Sequence, residues 1–312
     1  MLMFMNQLKP LLISENESRA SRLGADWLHP ERLQPDFLTG RNLLLDPRNT
    51  RDQSFLIDIA RWRKLGLIQT GVVGFPYYAG IHWHPSAKRT RGGRQWGRLV
   101  DQIDFWVVFS KEDQARYCHD RVFFSHLPTA LPDLVVPPAA PGGGGGQIEF
   151  FVGGRQNRDH FLAYRAAVDS GVTSLFVSDL LPKEILGETK RVETISAKVP
   201  KRNYIELMKR ALVVGVPLTS ADRARGQTDA ALAVALGLPL VVSAGSTCDD
   251  YVDHGRSGLL VPNDSGEWSK AIKEILENYD FFSRHAGRRK DLVSYESFQI
   301  TLLQAMTLSA RS

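Results

Sequence analysis

The stretch 225–264, RGQTDAALAVALGLPLVVSAGSTCDDYVDHGRSGLLVPND, is the feature that most constrains the fold. Its pattern predicts a helix over residues 228–237, with Thr228 as the N-cap and Asp229 in the first turn. Residues 238–243 form a continuous apolar run rich in β-branched side chains, which predicts a strand buried on both faces of a parallel sheet. The predicted helix is apolar on nearly every side, so it must lie between this sheet and another structure or a ligand.

The loop that precedes this helix is suited to a phosphate group. Gly226 and Gln227 lead into the helix N-terminus, where free N–H groups and the positive end of the helix dipole favour an anion. Arg223 and Arg225 add positive charge to the loop, and Thr228 adds a hydroxyl. A flexible basic loop without a ligand is the alternative interpretation.

Length and composition limit the class of protein. A chain of 312 residues with 43% hydrophobic content is expected to bury two domain cores. The net charge of +5 and the pI near 9.2 favour polyanionic partners. No run of about 18 apolar residues occurs and the first residues lack a signal-peptide pattern, which predicts a cytoplasmic protein. Cys118 and Cys248 have neither disulfide-framework nor zinc-site spacing, so we expect no metal.

A segment rich in proline and glycine divides the chain. Residues 137–146, PPAAPGGGGG, offer no side chain that could anchor a core and are predicted to be a linker. Strands alternate with helices over 147–290, which predicts a doubly wound parallel sheet. Residues 1–136 are predicted to form a second α/β domain, and residues 291–312 a helix that packs back toward it. We therefore predict an α/β fold of two Rossmann-like, doubly wound parallel-sheet domains that face a cleft.

The individual elements follow from runs of apolar residues and from helical spacing. Strands are predicted at 10–14, 42–45, 68–74, 105–110, 147–152, 174–179, 192–199 and 212–216, and helices at 53–64, 111–119, 158–169, 204–211 and 295–306.

A second loop in the C-terminal half also indicates phosphate binding. After the strand QIEFFV, Gly153 and Gly154 permit close approach to the backbone, and Arg155 and Arg158 place charge at the start of the next helix. This loop and the loop at 217–228 follow strands expected to be neighbours, so their arginines can converge on one diphosphate. A tight turn with two solvated arginines is the alternative.

These segments together resemble the C-terminal, donor-binding domain of glycosyltransferases with the GT-B fold, in the large retaining family with a group-1-type domain. The similarity covers roughly residues 105–285 and includes the GLLVP segment with the following Asp264. It implies the GT-B fold and a nucleotide-sugar donor, UDP- or GDP-linked, without a cofactor. It also implies that the helix N-terminus faces the diphosphate and that the nucleotide base lies near Val199 and Pro200.

One pair of residues departs from the pattern of that family. Its members usually carry two glutamates separated by seven residues, and the corresponding positions here are Ala224 and Leu232. Two alternatives to a glycosyltransferase therefore remain. One is a non-catalytic GT-B relative that acts as a partner or scaffold subunit, and the other is a nucleotide-sugar epimerase.

The N-terminal half supplies candidates for the chemistry at the acceptor. His82 and His84 follow the segment GVVGFPYYAG, and histidine can accept a proton from a sugar hydroxyl or hydrogen-bond to it. Asp46 follows another predicted strand and is a candidate base for an inverting enzyme. Packing of the histidines beside aromatic residues and helix capping by Asp46 are the simpler interpretations.

A basic loop follows these histidines. Residues 88–98, KRTRGGRQWGR, are suited to an anionic acceptor or to peripheral contact with an anionic membrane surface. A solvated loop is the alternative, and no nucleic-acid-binding motif accompanies the charge. We expect a saccharide, lipid or protein acceptor and no specific nucleic-acid partner.

Overall fold

The structure of the protein is a computed structural model that describes the chain in segments. These are residues 10–13, 21–23, 25–28, 38, 41–45, 59, 61–65, 67, 73–75, 103–117, 121–129, 131, 148–155, 157–185, 191–219 and 225–310. The predicted linker at 137–146 lies outside them.

The chain divides into two compact units. The first comprises the described parts of Met1–Ser125 and Tyr295–Ser312, and the second comprises those of His126–Ser294. Each unit is built on its own parallel sheet. The predicted α/β class with two parallel-sheet domains is therefore confirmed.

The first unit contains short strands. They are β1 (Leu11–Ile13), β2 (Asp26–Leu28), β3 (Leu43–Leu45), β4 (Val73–Phe75), β5 (Phe105–Val108) and β6 (Val122–Phe124), with helix α1 (Lys111–Tyr117) after β5. Among the residues described for this unit, six strands pair in parallel in the order β2-β1-β3-β4-β5-β6. β1, β3 and β5 are apolar at every position and buried throughout, as expected for strands covered on both faces.

The C-terminal helix α7 (Tyr295–Ser309) packs on the first unit. The ring of Phe298 lies 6.2 Å from that of Phe109, measured between centroids. The hydroxyl of Ser309 donates to the carbonyl oxygen of Asp104 at 3.3 Å. These contacts join the last helix to the end of β5 and to the residue that precedes it.

The second unit alternates strands with helices from β7 onward. Its strands are β7 (Ile148–Gly153), β8 (Ser174–Val177), β9 (Val192–Ile195), β10 (Ala211–Val216), β11 (Leu240–Ser243) and β12 (Gly258–Val261). Its helices are α2 (His160–Ser170), α3 (Lys201–Lys209), α4 (Gln227–Leu236), α5 (Ser265–Glu277) and α6 (Tyr279–Gly287). Within the described part of this unit, six strands pair in parallel in the order β12-β11-β10-β7-β8-β9.

The central strands of the second sheet are covered on both faces. Phe150 belongs to the apolar cluster that includes residues of α2 and α5, with Trp268 among them. Its neighbour Phe151 belongs to the cluster that includes residues of α3 and α4, with Met208 among them. Successive side chains of a strand point to opposite faces, so a strand between two helical layers must be apolar at every position.

The predicted strands differ from the observed ones mainly at their ends. Among the described residues, the largest difference lies at β9, which was predicted over 192–199 and ends at Ile195. β2 and β6 were missed because each has only three residues and no flanking signal. The predicted helix at 204–211 is wrong at its start, since α3 begins at Lys201 directly after Pro200.

Candidate functional site

The order of the strands in the second sheet marks one position for a ligand. β7 lies at the centre, the chain passes from it to β8 and β9 on one side, and it then returns to β10 on the other side. In an open parallel sheet, ligands bind outside the carboxyl ends of the strands where the order reverses. That point lies here beyond the ends of β7 and β10.

Helix α4 begins at this edge with donors that have no acceptor in the described part of the chain. Its N-cap is Gly226, at φ +93, and the predicted N-cap Thr228 is wrong. The carbonyl oxygen of Gly226 accepts from the N–H groups of Asp229 and Ala230 at 3.0 and 3.1 Å. No side chain caps the helix. Within the described residues, the N–H groups of Gln227 and Thr228 have no partner, and the buried Gln227 Nε2 has none either. These donors and the helix dipole favour an anion.

A loop after β11 fixes the backbone before α4. The Thr247 hydroxyl and the Cys248 thiol both donate to the carbonyl oxygen of Arg225, at 3.1 and 3.4 Å. The Asp249 carboxylate accepts from the N–H groups of Gly245 and Ser246 at 2.9 Å each. Burial raises the pKa of Cys248 to about 12, so this residue is a neutral thiol that packs and donates.

The turn after β7 requires its two glycines. A Cβ atom on Gly153 would lie 1.8 Å from the Tyr204 hydroxyl, and one on Gly154 would lie 2.6 Å from Asp229 Oδ2. Gly154 also has φ +95, which side chains disfavour. The atoms that approach this turn are therefore groups of α3 and α4.

Arg158 forms an ion pair inside the same cluster. Its Nη2 donates to Asp229 Oδ2 at 2.5 Å and its Nε donates to the carbonyl oxygen of Gly153 at 3.1 Å. The Tyr204 hydroxyl donates to Asp229 Oδ1 at 2.9 Å. The side chains of Arg158 and Asp229 are only 4% and 9% exposed. The charge predicted for a diphosphate at Arg158 thus faces a carboxylate of the protein.

The shifted pKa values in this cluster keep Arg158 and Tyr204 protonated. Burial lowers the pKa of Arg158, but the adjacent Asp229 carboxylate outweighs that effect and the net shift is upward. Burial, with Asp229 beside it, raises the pKa of Tyr204 well above its ordinary value. Arg158 is therefore cationic, and the Tyr204 phenol remains a proton donor.

Two other arginines lie closer to solvent. Arg155 is 55% exposed, and its Nε pairs with Asp179 Oδ1 at 2.5 Å, just beyond the end of β8. Arg225 is half-buried directly before α4. Arg155 can exchange its exposed partner for a phosphate at little cost because exposed ion pairs contribute little stability.

His160, the first residue of α2, was missed from the sequence. It is only 3% exposed, and its Nε2 lies 3.1 Å from the carbonyl oxygen of Gly154, which can only accept. Nε2 therefore carries the proton of the neutral ring, and Nδ1 has no partner within the described residues. Burial lowers the pKa of His160 to about 4, so the ring is neutral near pH 7.

Some of the remaining predicted site residues are described by the structure, and the others lie outside the described residues. Val199 is half-buried and packs against the cluster that contains Phe151, whereas Pro200 is exposed and is the N-cap of α3. Leu232, where the related family carries a glutamate, is 2% exposed in α4. Asp46, His82, His84, Arg223, Ala224 and the basic loop 88–98 lie outside the described residues.

The described residues contain neither a metal-ligand cluster nor a membrane-spanning helix. Among the described residues, no group of three or more His, Cys, Asp or Glu side chains could hold a metal ion. No helix in the described segments is long and apolar enough to cross a membrane.

The two parallel α/β units define a protein of the GT-B fold. Residues 166–278 match the sequence family Glycosyl transferases group 1. The resemblance to GT-B glycosyltransferases with a group-1-type domain is thereby confirmed for the second unit. The matched segment runs from α2 through α5 and includes α4.

Solved structures share this fold at low sequence identity. HepE from Anabaena, crystallised with UDP and glucose, is 16% identical, with 86% of this chain and 78% of HepE covered and a TM-score of 0.58. Sucrose-phosphate synthase from Thermosynechococcus elongatus is 15% identical, with 97% and 100% covered and a TM-score of 0.60. A putative UDP-N-acetylglucosamine 2-epimerase from Listeria monocytogenes is 10% identical, with 96% of each chain covered and a TM-score of 0.56. No curated protein sequence matches the chain.

Proposed function

We propose that the protein transfers a sugar from a nucleotide-sugar donor, UDP- or GDP-linked, to a saccharide, lipid or protein acceptor. The observation that carries this proposal is the start of α4, at the switch point of the sheet. There the N–H groups of Gln227 and Thr228 and the Gln227 amide have no acceptor among the described residues. A diphosphate supplies several acceptor oxygens at once. The UDP and glucose bound to HepE support the choice of ligand.

The same residues would stabilise the leaving group during transfer. Negative charge develops on the nucleoside diphosphate as the bond to the sugar breaks, and preorganised N–H donors and cations favour that charge. In this proposal the donors are the first amides of α4, and the cations are Arg155, Arg225 and Arg223. Arg158 lies beside these groups in its ion pair with Asp229, and the turn at 153–154 borders the diphosphate.

The acceptor side of the proposal rests on the N-terminal half. His82, His84 and Asp46 are the candidates to hold or deprotonate an acceptor hydroxyl. The basic loop 88–98 would contact an anionic acceptor or an anionic membrane surface from the cytoplasmic side. Val199 and Pro200 are the positions proposed for the nucleotide base.

A non-catalytic nucleotide-binding protein is the second candidate function. The buried Leu232 favours it, because a 2% exposed leucine cannot contact the hydroxyls of a donor sugar. This candidate shares the diphosphate site with the first and differs only in turnover. The epimerase alternative has the fold likeness to the Listeria protein as its support.

A pair of substitutions at Gln227 tests the diphosphate site. Gln227→Ala removes the side-chain amide, and Gln227→Pro removes the backbone N–H as well. The first helix position tolerates proline, but Gly226 before it must move from φ +93, ψ −24 toward an extended conformation. Since a hydrogen bond to a charged group contributes about 1.5–3 kcal/mol, we expect the proline variant to bind UDP and GDP at least about tenfold more weakly than the alanine variant. Isothermal titration calorimetry measures both, with circular dichroism to verify the helix content.

Equal affinities of the two variants would show that the N–H of Gln227 does not contact the ligand. Transfer or hydrolysis of UDP-glucose and GDP-mannose by the wild-type protein then separates the candidate functions. Turnover of either donor supports the transferase, whereas tight binding without turnover of either donor supports the non-catalytic alternative.

A further inference from the structure

The ion pair between Arg158 and Asp229 lies directly beside the proposed diphosphate site. Asp229 is the third residue of α4, and the free N–H groups belong to the two residues before it. Its carboxylate accepts from Arg158 and from Tyr204, and its oxygen lies against the turn at Gly154. The buried Asp229 carboxylate is thus already paired with the Arg158 cation at the edge where a diphosphate would bind.

The charges in this cluster cancel each other. Arg158 contributes one positive charge, Asp229 one negative charge, and the protonated Tyr204 none. Interactions between buried charges are screened less by solvent than those at the surface. An anion at the start of α4 is therefore attracted by Arg158 and repelled by Asp229, which lie 2.5 Å from each other.

We propose that Asp229 sets the affinity for the nucleoside diphosphate by acting as a permanent counter-anion for Arg158. The inference rests on the proposed function, namely that a nucleoside diphosphate binds at the N-terminus of α4. Its consequence is weaker product retention, since the leaving diphosphate cannot pair with Arg158 while Asp229 holds it. Asp229 is a positioning residue here because it acts through Arg158 and not on the reacting atoms.

Replacement of Asp229 by asparagine separates charge from shape. The asparagine side chain has nearly the same size as the aspartate and keeps an oxygen that can accept from Tyr204 or from Arg158. The Arg158 guanidinium, 4% exposed, would then lose its ion pair with Asp229. Because the negative charge of Asp229 is removed, binding of the diphosphate beside this buried cation should become more favourable.

The test compares UDP and GDP binding by wild type, Asp229→Asn and a matched control in calorimetry at two salt concentrations. We expect Asp229→Asn to bind at least about tenfold more tightly than wild type, with a steeper loss of affinity as salt rises. Asp169→Asn is the control, since it removes one exposed carboxylate near the opposite end of α2. Its affinity should remain within about twofold of wild type.

A double variant provides an independent readout. Arg158→Gln combined with Asp229→Asn removes both charges, and its affinity should return to within about threefold of wild type. If Asp229→Asn does not fold, Asp229→Ser removes the same charge with a smaller side chain and carries the same expectation.

The outcomes distinguish the inference from the function on which it rests. Binding by wild type with equal or weaker binding by the folded Asp229 variants would overturn the inference and leave the proposed function standing. If Asp229 has a purely structural role, the folded variants should bind UDP and GDP as well as wild type or more weakly. Absence of UDP and GDP binding in every variant would overturn both.

Discussion

Replacement of Arg158 by methionine is expected to lower the free energy of unfolding of the second unit by about 3–5 kcal/mol. The methionine retains the apolar stem, but the Asp229 carboxylate, 9% exposed, loses its cationic partner. A buried charge without a partner costs more than the ion pair contributed. Urea unfolding followed by amide exchange in β7 and β10 measures the effect within this unit.

Two variants control for the loss of charge itself. Arg155→Met breaks the exposed pair with Asp179 and should cost at most about 1 kcal/mol. Arg158→Met combined with Asp229→Asn should be more stable than Arg158→Met alone, because the unpaired buried carboxylate at position 229 is then replaced by a neutral amide. An effect of Arg158→Met no larger than that of Arg155→Met would contradict the buried-pair description.

The stability of the second unit is expected to fall with pH through the titration of His160. Its folded pKa of about 4 lies below the ordinary value of 6.5, so between these values the unfolded chain binds a proton that the folded chain does not. The contribution is fully present above pH 6.5 and is lost as pH falls toward 4, at about 1.4 kcal/mol for each pH unit. The total loss approaches about 3 kcal/mol at pH 4.

His160→Gln isolates this contribution from the titration of the carboxylates. The glutamine amide can donate to the Gly154 carbonyl as Nε2 does, and it carries no titratable proton in this range. The difference in unfolding free energy between wild type and variant should therefore change steeply between pH 6.5 and 4 and stay flat above pH 7. A difference independent of pH would contradict the assignment of His160 as a buried neutral histidine.

The strands of the second unit could be predicted from the sequence because burial on both faces demands unbroken apolar runs. The segment LPLVVS gave β11, and the segment QIEFFV gave β7, each with ends displaced by one or two residues. Short strands such as β2, DWL, have half-buried residues and no such run. These strands form because they pair with strands far along the chain, and local residue preferences do not reveal such pairing.

The candidate site was predictable in its location but not in its contacts. The free helix N-terminus and the Gly153–Gly154 turn follow from local residue preferences. The partner of Arg158 lies 71 positions away at Asp229, and Tyr204 comes from a third element. Sequence alone contained one signal, since Asp229 is the only charged residue of α4 and every residue after it in the helix is apolar. A carboxylate in such a helix needs a buried partner.

Amide hydrogen exchange with and without saturating UDP or GDP tests the central claim most directly. The N–H groups of Gln227 and Thr228 have no acceptor in the described residues and should exchange rapidly in the free protein. If α4 holds the diphosphate, UDP or GDP will slow exchange at residues 226–229 and at the turn 153–155. Tight binding with protection confined to other segments, or no binding of either nucleotide, would contradict the account.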